Sequence, residues 1–168
     1  MTPVLVATPA SVPVDLDALK LHLRVTHAYE DALIAALGAA AVGYLDGWRG
    51  VLGRAIIAQT WSVEAPCAGD FTLPMPDVSA VTVDYGDGAV ALTPVIGDGG
   101  PVVTVTGEGT VTFTCAMPQA QLDVVIVVIK MLVGHWYENR EAVNIGNITS
   151  DLPFGVDQLI GVLRWRRV

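Results

Sequence analysis

Between Ala55 and Pro118 the apolar residues of this chain stop recurring at threes and fours and begin to alternate. That change of period constrains the fold more than any other feature. A helix buries a stripe that repeats about every 3.6 residues, a strand a face that repeats every two, and neither pattern suits the other element. Upstream of the change, Asp15 offers an N-cap, and Leu16, Leu19 and Leu23 mark one face of a short helix ending near Arg24. A second helix is predicted from Thr26 and His27, with Glu30 and Asp31 in the first turn, where the helix dipole favours acids. Its apolar positions Tyr29, Leu33, Leu37, Ala40, Ala41, Tyr44 and Trp48 recur at threes and fours. The small residues from Ala35 to Gly43 would let another helix approach closely.

Within the alternating region, "AIIAQTWSVEA", "VSAVTVDYGDGAVALT", "VVTVTG" and "GTVTFTCAM" are β-branched runs divided by glycine, proline and aspartate. Tyr85-Gly86-Asp87-Gly88 reads as a hairpin turn, because glycine permits the positive φ such turns need. Four or five antiparallel strands are expected over residues 56–116. Pro118 then opens a helix running to about Ala142, since the missing N–H of proline is harmless at a first turn. One face carries Leu122, Val125, Ile126, Ile129, Leu132, Val133 and Trp136, yet Val124, Val127, Val128 and Met131 lie outside it. A helix apolar nearly all round is expected to be buried on several sides, here against neighbouring subunits as well as its own chain. "NIGNITSDLPFG" reads as a loop and "VDQLIGVLRWRRV" as a short terminal helix or tail.

The strands are inserted between helices rather than alternating with them, so the expected class is α+β. The division is an extended arm over residues 1–13 with prolines at 3, 9 and 13, a helical core from 14–55 and 117–168, and a β subdomain over 56–116. At 52% hydrophobic residues the chain can fill a sizeable core. No membrane span is expected, because the most apolar run, Val124–Ile129, is cut by Lys130. Nor is a signal peptide, since the N-terminus lacks a basic region and carries prolines within its apolar part.

The net charge of −8 comes from nine basic and seventeen acidic residues, which argues against a dedicated nucleic-acid binder. Arg164, Arg166 and Arg167 place a third of the basic residues in the last five positions, giving an acidic body with a basic tail. That tail, with Trp165 among its arginines, reads either as a solvated terminus or as an interface anchor, a role for which arginine and tryptophan are enriched.

Catalytic patterns are not found. Ser11, Ser62, Ser79 and Ser150 lie in no GxSxG elbow, and the glycines separate β-like runs rather than cradling a phosphate at a helix start. Cys67 and Cys115 form no CxxC pair and read as unpaired thiols. The densest polar cluster is "HWYENREAV" at 135–143. A catalytic reading makes Glu138 or Glu141 a general base beside His135 and the chain a small hydrolase or transferase; a metal reading pairs His135 with Glu138. Neither has the complementary group it needs, so no catalytic, metal or cofactor site is expected. The cluster reads instead as the polar end of a buried helix. His135, Trp136 and Tyr137 cover that end with polar-tipped rings, while Glu138, Asn139, Arg140 and Glu141 pair with a neighbouring helix or subunit.

Three stretches carry a resemblance to a known family. "VDLDALKLHLRVTHAYEDALIAALGAAAVGYLDGWRGVLGRAIIAQTW", "HWYENREAV" and "LPFGVDQLIGVLRWRR" occur in the order found in the head-tail connector, or adaptor, proteins of tailed bacteriophages and gene transfer agents. Residues 62–116 correspond to a variable β insertion of the longer members, and Asp157 departs from the basic or neutral residue common at its position. The resemblance implies a non-enzymatic virion protein of the neck, assembled in the host bacterial cytoplasm as a homo-oligomeric, dodecameric ring. Portal protein would bind above and a stopper or tail component below, with genomic DNA passing the lumen without specific binding. It further implies that portal is met by the C-terminal segment, Arg164, Trp165, Arg166, Arg167 and Val168. A stopper or tail-terminator ring of the same neck is the alternative.

Overall fold

In a computed structural model, residues 2–140 and 154–165 are described. Among them the elements run β1 (Val4–Ala7), α1 (Leu16–Leu23), α2 (Asp31–Leu45), β2 (Gln59–Ala65), β3 (Gly69–Thr72), β4 (Val78–Asp84), β5 (Ala89–Leu92), β6 (Val95–Gly97), β7 (Gly100–Val105), β8 (Gly109–Cys115), α3 (Gln119–Glu138) and α4 (Phe154–Leu163). The class is α+β, with two antiparallel sheets and four helices.

α1 starts where expected. Asp15 holds an extended conformation, and its Oδ1 accepts from the Ala18 N–H at 2.7 Å. The helix stops because Arg24 turns left-handed, at φ 59°, so that the N–H groups of Arg24 and Val25 return to the Leu21 and Lys20 carbonyls. α2 begins at Asp31 rather than at Thr26, since the chain needs residues 25–30 to reverse after that left-handed stop. Tyr29, expected on the apolar face, is therefore in the turn and 95% exposed. The far end is also shorter than expected. Asp46 adopts an extended conformation, and Trp48 lies beyond the helix.

The helices surround one apolar cluster containing Leu19, Ile34, Leu45, Leu52, Val128, Ile129, Leu132, Val156, Ile160 and Leu163. Gly38 lets α1 and α2 touch: a Cβ there would lie 2.7 Å from Leu19 Cδ1. α3 buries Val125, Val128, Ile129, Leu132 and Val133, while Val127 on another face is 48% exposed. Its 20 residues make it long and apolar enough to cross a membrane by length and composition, contrary to the sequence expectation; Lys130 does not interrupt it sufficiently. In this fold its buried face packs on α1, α2 and α4.

Seven strands fill the region where four or five were expected. The missed ones, β3 and β6, have four and three residues with glycine or aspartate among them, too short for alternation to register. Segment 1–13 supplies an eighth, β1, antiparallel to β2 with a register shift between Leu5 and Ala7. One sheet has the order β1-β2-β8-β4-β5 and the other β3-β7-β6. Facing residues Val63, Val81, Val83, Val103, Val105, Val111 and Phe113 form their common core. The opposite face of the larger sheet is polar, with Thr60 across from Thr114, Ser62 from Thr112 and Glu64 from Thr110. The β4–β5 hairpin turns through 85–88 as predicted, with Gly86 and Gly88 at positive φ and the Asp84 Oδ1 accepting from both their N–H groups.

The two cores meet at residues 46–56. Arg54, only 6% exposed, sends Nε and Nη2 to Asp77 Oδ2 and Nη1 to the Leu163 carbonyl at 3.1 Å. The Ala55 carbonyl accepts from the Met117 N–H at 2.9 Å, fastening the return from β8 towards α3. Replacing Arg54 by Met leaves a half-buried carboxylate and a helix-end carbonyl without their donor, a loss of about 3–5 kcal/mol in urea denaturation. The double substitution Arg54→Met/Asp77→Asn removes both charges and recovers part of that loss. A single-variant loss below about 1 kcal/mol, the range of an exposed pair, removes Arg54 from this role.

Candidate functional site

Two places gather the polar side chains that the sequence singled out: the C-terminal end of α3 and the C-terminal end of α4. At the first, Glu30 receives both partners. Tyr137 donates its hydroxyl to Glu30 Oε2, and Arg140 Nη2 lies 2.5 Å from Oε1. The Arg140 guanidinium stands 4.8 Å over the Tyr137 ring, and its Nε donates to the Tyr137 carbonyl at 3.3 Å. His27 Nε2 is 3.9 Å from the same carboxylate. The helix then ends on Asn139, whose backbone N–H and side-chain amide both reach the His135 carbonyl.

These contacts tie the start of α2 to the end of α3 within one chain. They also set the electrostatics. The Tyr137 hydroxyl first, and then the Arg140 guanidinium, hold the Glu30 carboxyl below its usual range. Reciprocally, the bond to Glu30 pushes the Tyr137 phenol up. Of the other residues expected here, His135 and Trp136 are half-buried and Glu138 is exposed, with no hydrogen bond or ion pair joining His135 to Glu138. Glu141 lies outside the described residues.

At the second place, Arg164 is exposed and its N–H continues the α4 ladder to the Ile160 carbonyl at 2.9 Å. Trp165 turns back on its own chain. Its N–H donates to the Leu52 carbonyl at 2.8 Å, and its indole lies over Gly100, where a Cβ would stand 3.0 Å from Cζ2. Arg166, Arg167 and Val168 lie outside the described residues.

Reactive groups are dispersed. Cys67 is exposed, whereas Cys115 is buried and its thiol is pushed up to about 12, chiefly by desolvation and then by the charges of Asp77 and Asp46. Ser79 donates to the Thr114 carbonyl, and no group of three metal-ligating side chains occurs among the described residues. What the geometry assembles is fastening. Sequence reasoning placed Glu30 only as a first-turn acid and gave Arg54 no role. Arg54 did carry a signal: it sits in an apolar run, and residues 55–129 hold no other Lys, Arg or His.

No protein-family model and no curated protein matches the sequence. Solved structures do match the fold. A chain in the neck of an empty gene transfer agent particle, computed with C6 symmetry, aligns with a TM-score of 0.69 and 21% identity, covering 100% of this chain and 97% of that one. A chain in the virion of a native gene transfer agent particle aligns with a TM-score of 0.69 and 20% identity over the same shares.

The Glu30 clamp has a pH signature. Because its folded-state pKa is depressed, the clamp stabilises the protein above the ordinary glutamate range, about 4.3, and that contribution disappears as pH falls through the lower folded value. Glu30→Gln therefore lowers the melting temperature at neutral pH and flattens its fall on acidification below about pH 5. Parallel pH dependences of the melting temperature for wild type and variant across that range would show that Glu30 contributes no such stability.

Proposed function

We propose that this chain is the adaptor of a phage or gene transfer agent neck. In this reading it forms a homo-oligomeric, dodecameric ring that joins the portal above to a stopper or tail component below and lets genomic DNA pass through its centre. The observation that carries the reading is the end-to-end fold match to a chain from a gene transfer agent neck. Charge supports it. Glu64, Asp70, Asp84, Asp87, Asp98 and Glu108 give the β strands and their loops one sign, and such a surface towards the channel repels phosphate and lets a duplex slide. Its role is structural and its place the virion, after assembly in the host cytoplasm; it needs no cofactor.

The portal contact falls to the C-terminal segment, Arg164, Trp165, Arg166, Arg167 and Val168. Trp165 is also fastened to its own chain, so of the two described residues in this segment it is the exposed Arg164 that supports the contact most directly. The exposed Glu138 and the half-buried His135 are placed at the boundary between copies.

Electron microscopy of the protein mixed with portal rings tests this. A ring capping the portal is expected with the full chain, and a chain ending at Trp165 keeps its melting temperature but loses that ring. Equal portal binding by the shortened chain overturns the assignment of the tail. A ring that caps tail tubes and ignores the portal makes the protein a stopper or terminator instead. The His135→Ala/Glu138→Ala variant should fold normally and form fewer rings on portal.

A further inference from the structure

The five-stranded sheet ends on two open edges of the same character. β1 and β5 are its outermost strands, so each presents a row of N–H and C=O groups with no strand beside it. Their sequences are Val-Leu-Val-Ala and Ala-Val-Ala-Leu, without a charge. Proteins usually guard such edges by keeping the strand very short, or with lysine, inward-pointing charge, a bulge or proline. β5 has only its shortness, four residues, and no charge, bulge or proline. β1, equally short, adds only the register shift at Val6, which leaves Val4 and Leu5 as its regular part.

The core is open at the same two edges. Leu5 stands opposite Trp61, and Val90 opposite Val83, so both side chains share the face that packs on the second sheet. That second sheet has three strands and cannot cover five. Leu5 is left 39% exposed and Val90 51%.

Charge then selects the occupant. Between Arg54 and Lys130 the chain has eight carboxylates and no cation, and residues 2–14 have no charge at all. Two copies brought together by the faces or loops of their sandwiches would set carboxylate against carboxylate. The uncharged edges are where such bodies can meet.

We infer that neighbouring copies join edge to edge, β5 of one against β1 of the next, so that the larger sheet runs on from copy to copy; this rests on the ring reading above. Three strands separate β1 from β5, and every step is antiparallel, so the two edge strands run in the same sense. Head-to-tail joining therefore forms a parallel ladder. Each copy gives one edge and receives the other, the heterologous contact that closes into a ring. Pairing β5 with β5 about a two-fold axis would form an antiparallel ladder and stop at a dimer. A ladder of about four residues is weak alone, so the edges hold once other contacts have gathered the copies.

Cross-linking tests it. In a Cys67→Ser background, Leu5→Cys/Val90→Cys is mixed with portal rings and treated with a short bis-maleimide, which tolerates a one-residue shift of register. Cys115 is buried and stays unreacted. A ladder of covalent multimers is expected from the double variant and not from either single one. Portal-bound rings without a ladder overturn the edge contact and leave the adaptor reading standing. Dimers from Val90→Cys alone show two-fold pairing and also overturn it. Absence of any ring on portal overturns the adaptor reading and this inference with it. As a second arm, Val90→Lys should keep the wild-type melting temperature and lose the rings; rings at wild-type yield count against the edge.

Discussion

One guanidinium holds this fold to a single shape. Arg54 is bound by Asp77 before β4 and by the last carbonyl of α4, so it joins positions 23 and 109 residues away in the chain. Burying an ion pair forfeits hydration on both partners, and such pairs are weak sources of net stability. What the pair supplies is geometry. Asp77 is held at a positive φ of 58°, its carbonyl accepts from the Ala116 N–H, and the Ala55 carbonyl accepts from Met117. The entry to β4, the exit from β8 and the end of α4 are thereby set by one side chain. A sandwich attached through two strands of backbone alone has little else to set its angle to the helices; here the Arg54 contacts cross that joint as well.

A second carboxylate at the same junction shows how environment decides the sign of an acid's contribution. Asp46 accepts from the Ile56 N–H at 2.7 Å and from the Gln59 amide, whose oxygen in turn accepts from the Trp61 indole. Desolvation outweighs these donors and raises its carboxyl above the usual range. Glu30, near the surface with a phenol and a guanidinium, is shifted the other way. The folded state thus takes up a proton more readily at Asp46 and less readily at Glu30 than the unfolded chain does. On acidification the joint between α2 and α3 weakens while the titration of Asp46 favours the folded state.

The parts legible in the sequence were those governed by local periodicity. The Asp15 cap, the apolar spacing of α1, the proline start of α3 and the turn at 85–88 are each specified within a few residues, and they stand where the pattern puts them. Misplaced boundaries arise where the deciding feature leaves no mark in the local apolar pattern. α2 looks as though it starts at Thr26 because the left-handed stop at Arg24 leaves no trace in composition, arginine being an ordinary helix residue. Trp48 continues the apolar spacing of α2, yet Asp46 turns out of the helix to meet Ile56 and Gln59. The polar cluster at 135–140 was recognisable as a helix end, but its partner Glu30 lies more than 100 residues away and no spacing rule reaches it.

Trp165 follows from the same logic of distant contacts. A tryptophan among arginines in a terminal segment suggests an anchor for another molecule, whereas here its indole covers Gly100 and its backbone carbonyl lies 3.5 Å from where a Cβ on Gly53 would be. Both glycines have positive φ, at 122° and 64°, so any side chain in either place would combine backbone strain with a crowded tryptophan. Because Leu52, whose carbonyl accepts from the Trp165 N–H, belongs to the helical core and Gly100, under the indole, to the smaller sheet, Trp165 spans the seam that Arg54 closes from within. In the proposed adaptor, the exposed Arg164 thus stands beside a point fixed to both cores, and a contact side chain on such a seam has less freedom to lose on meeting a partner than one on a frayed helix end.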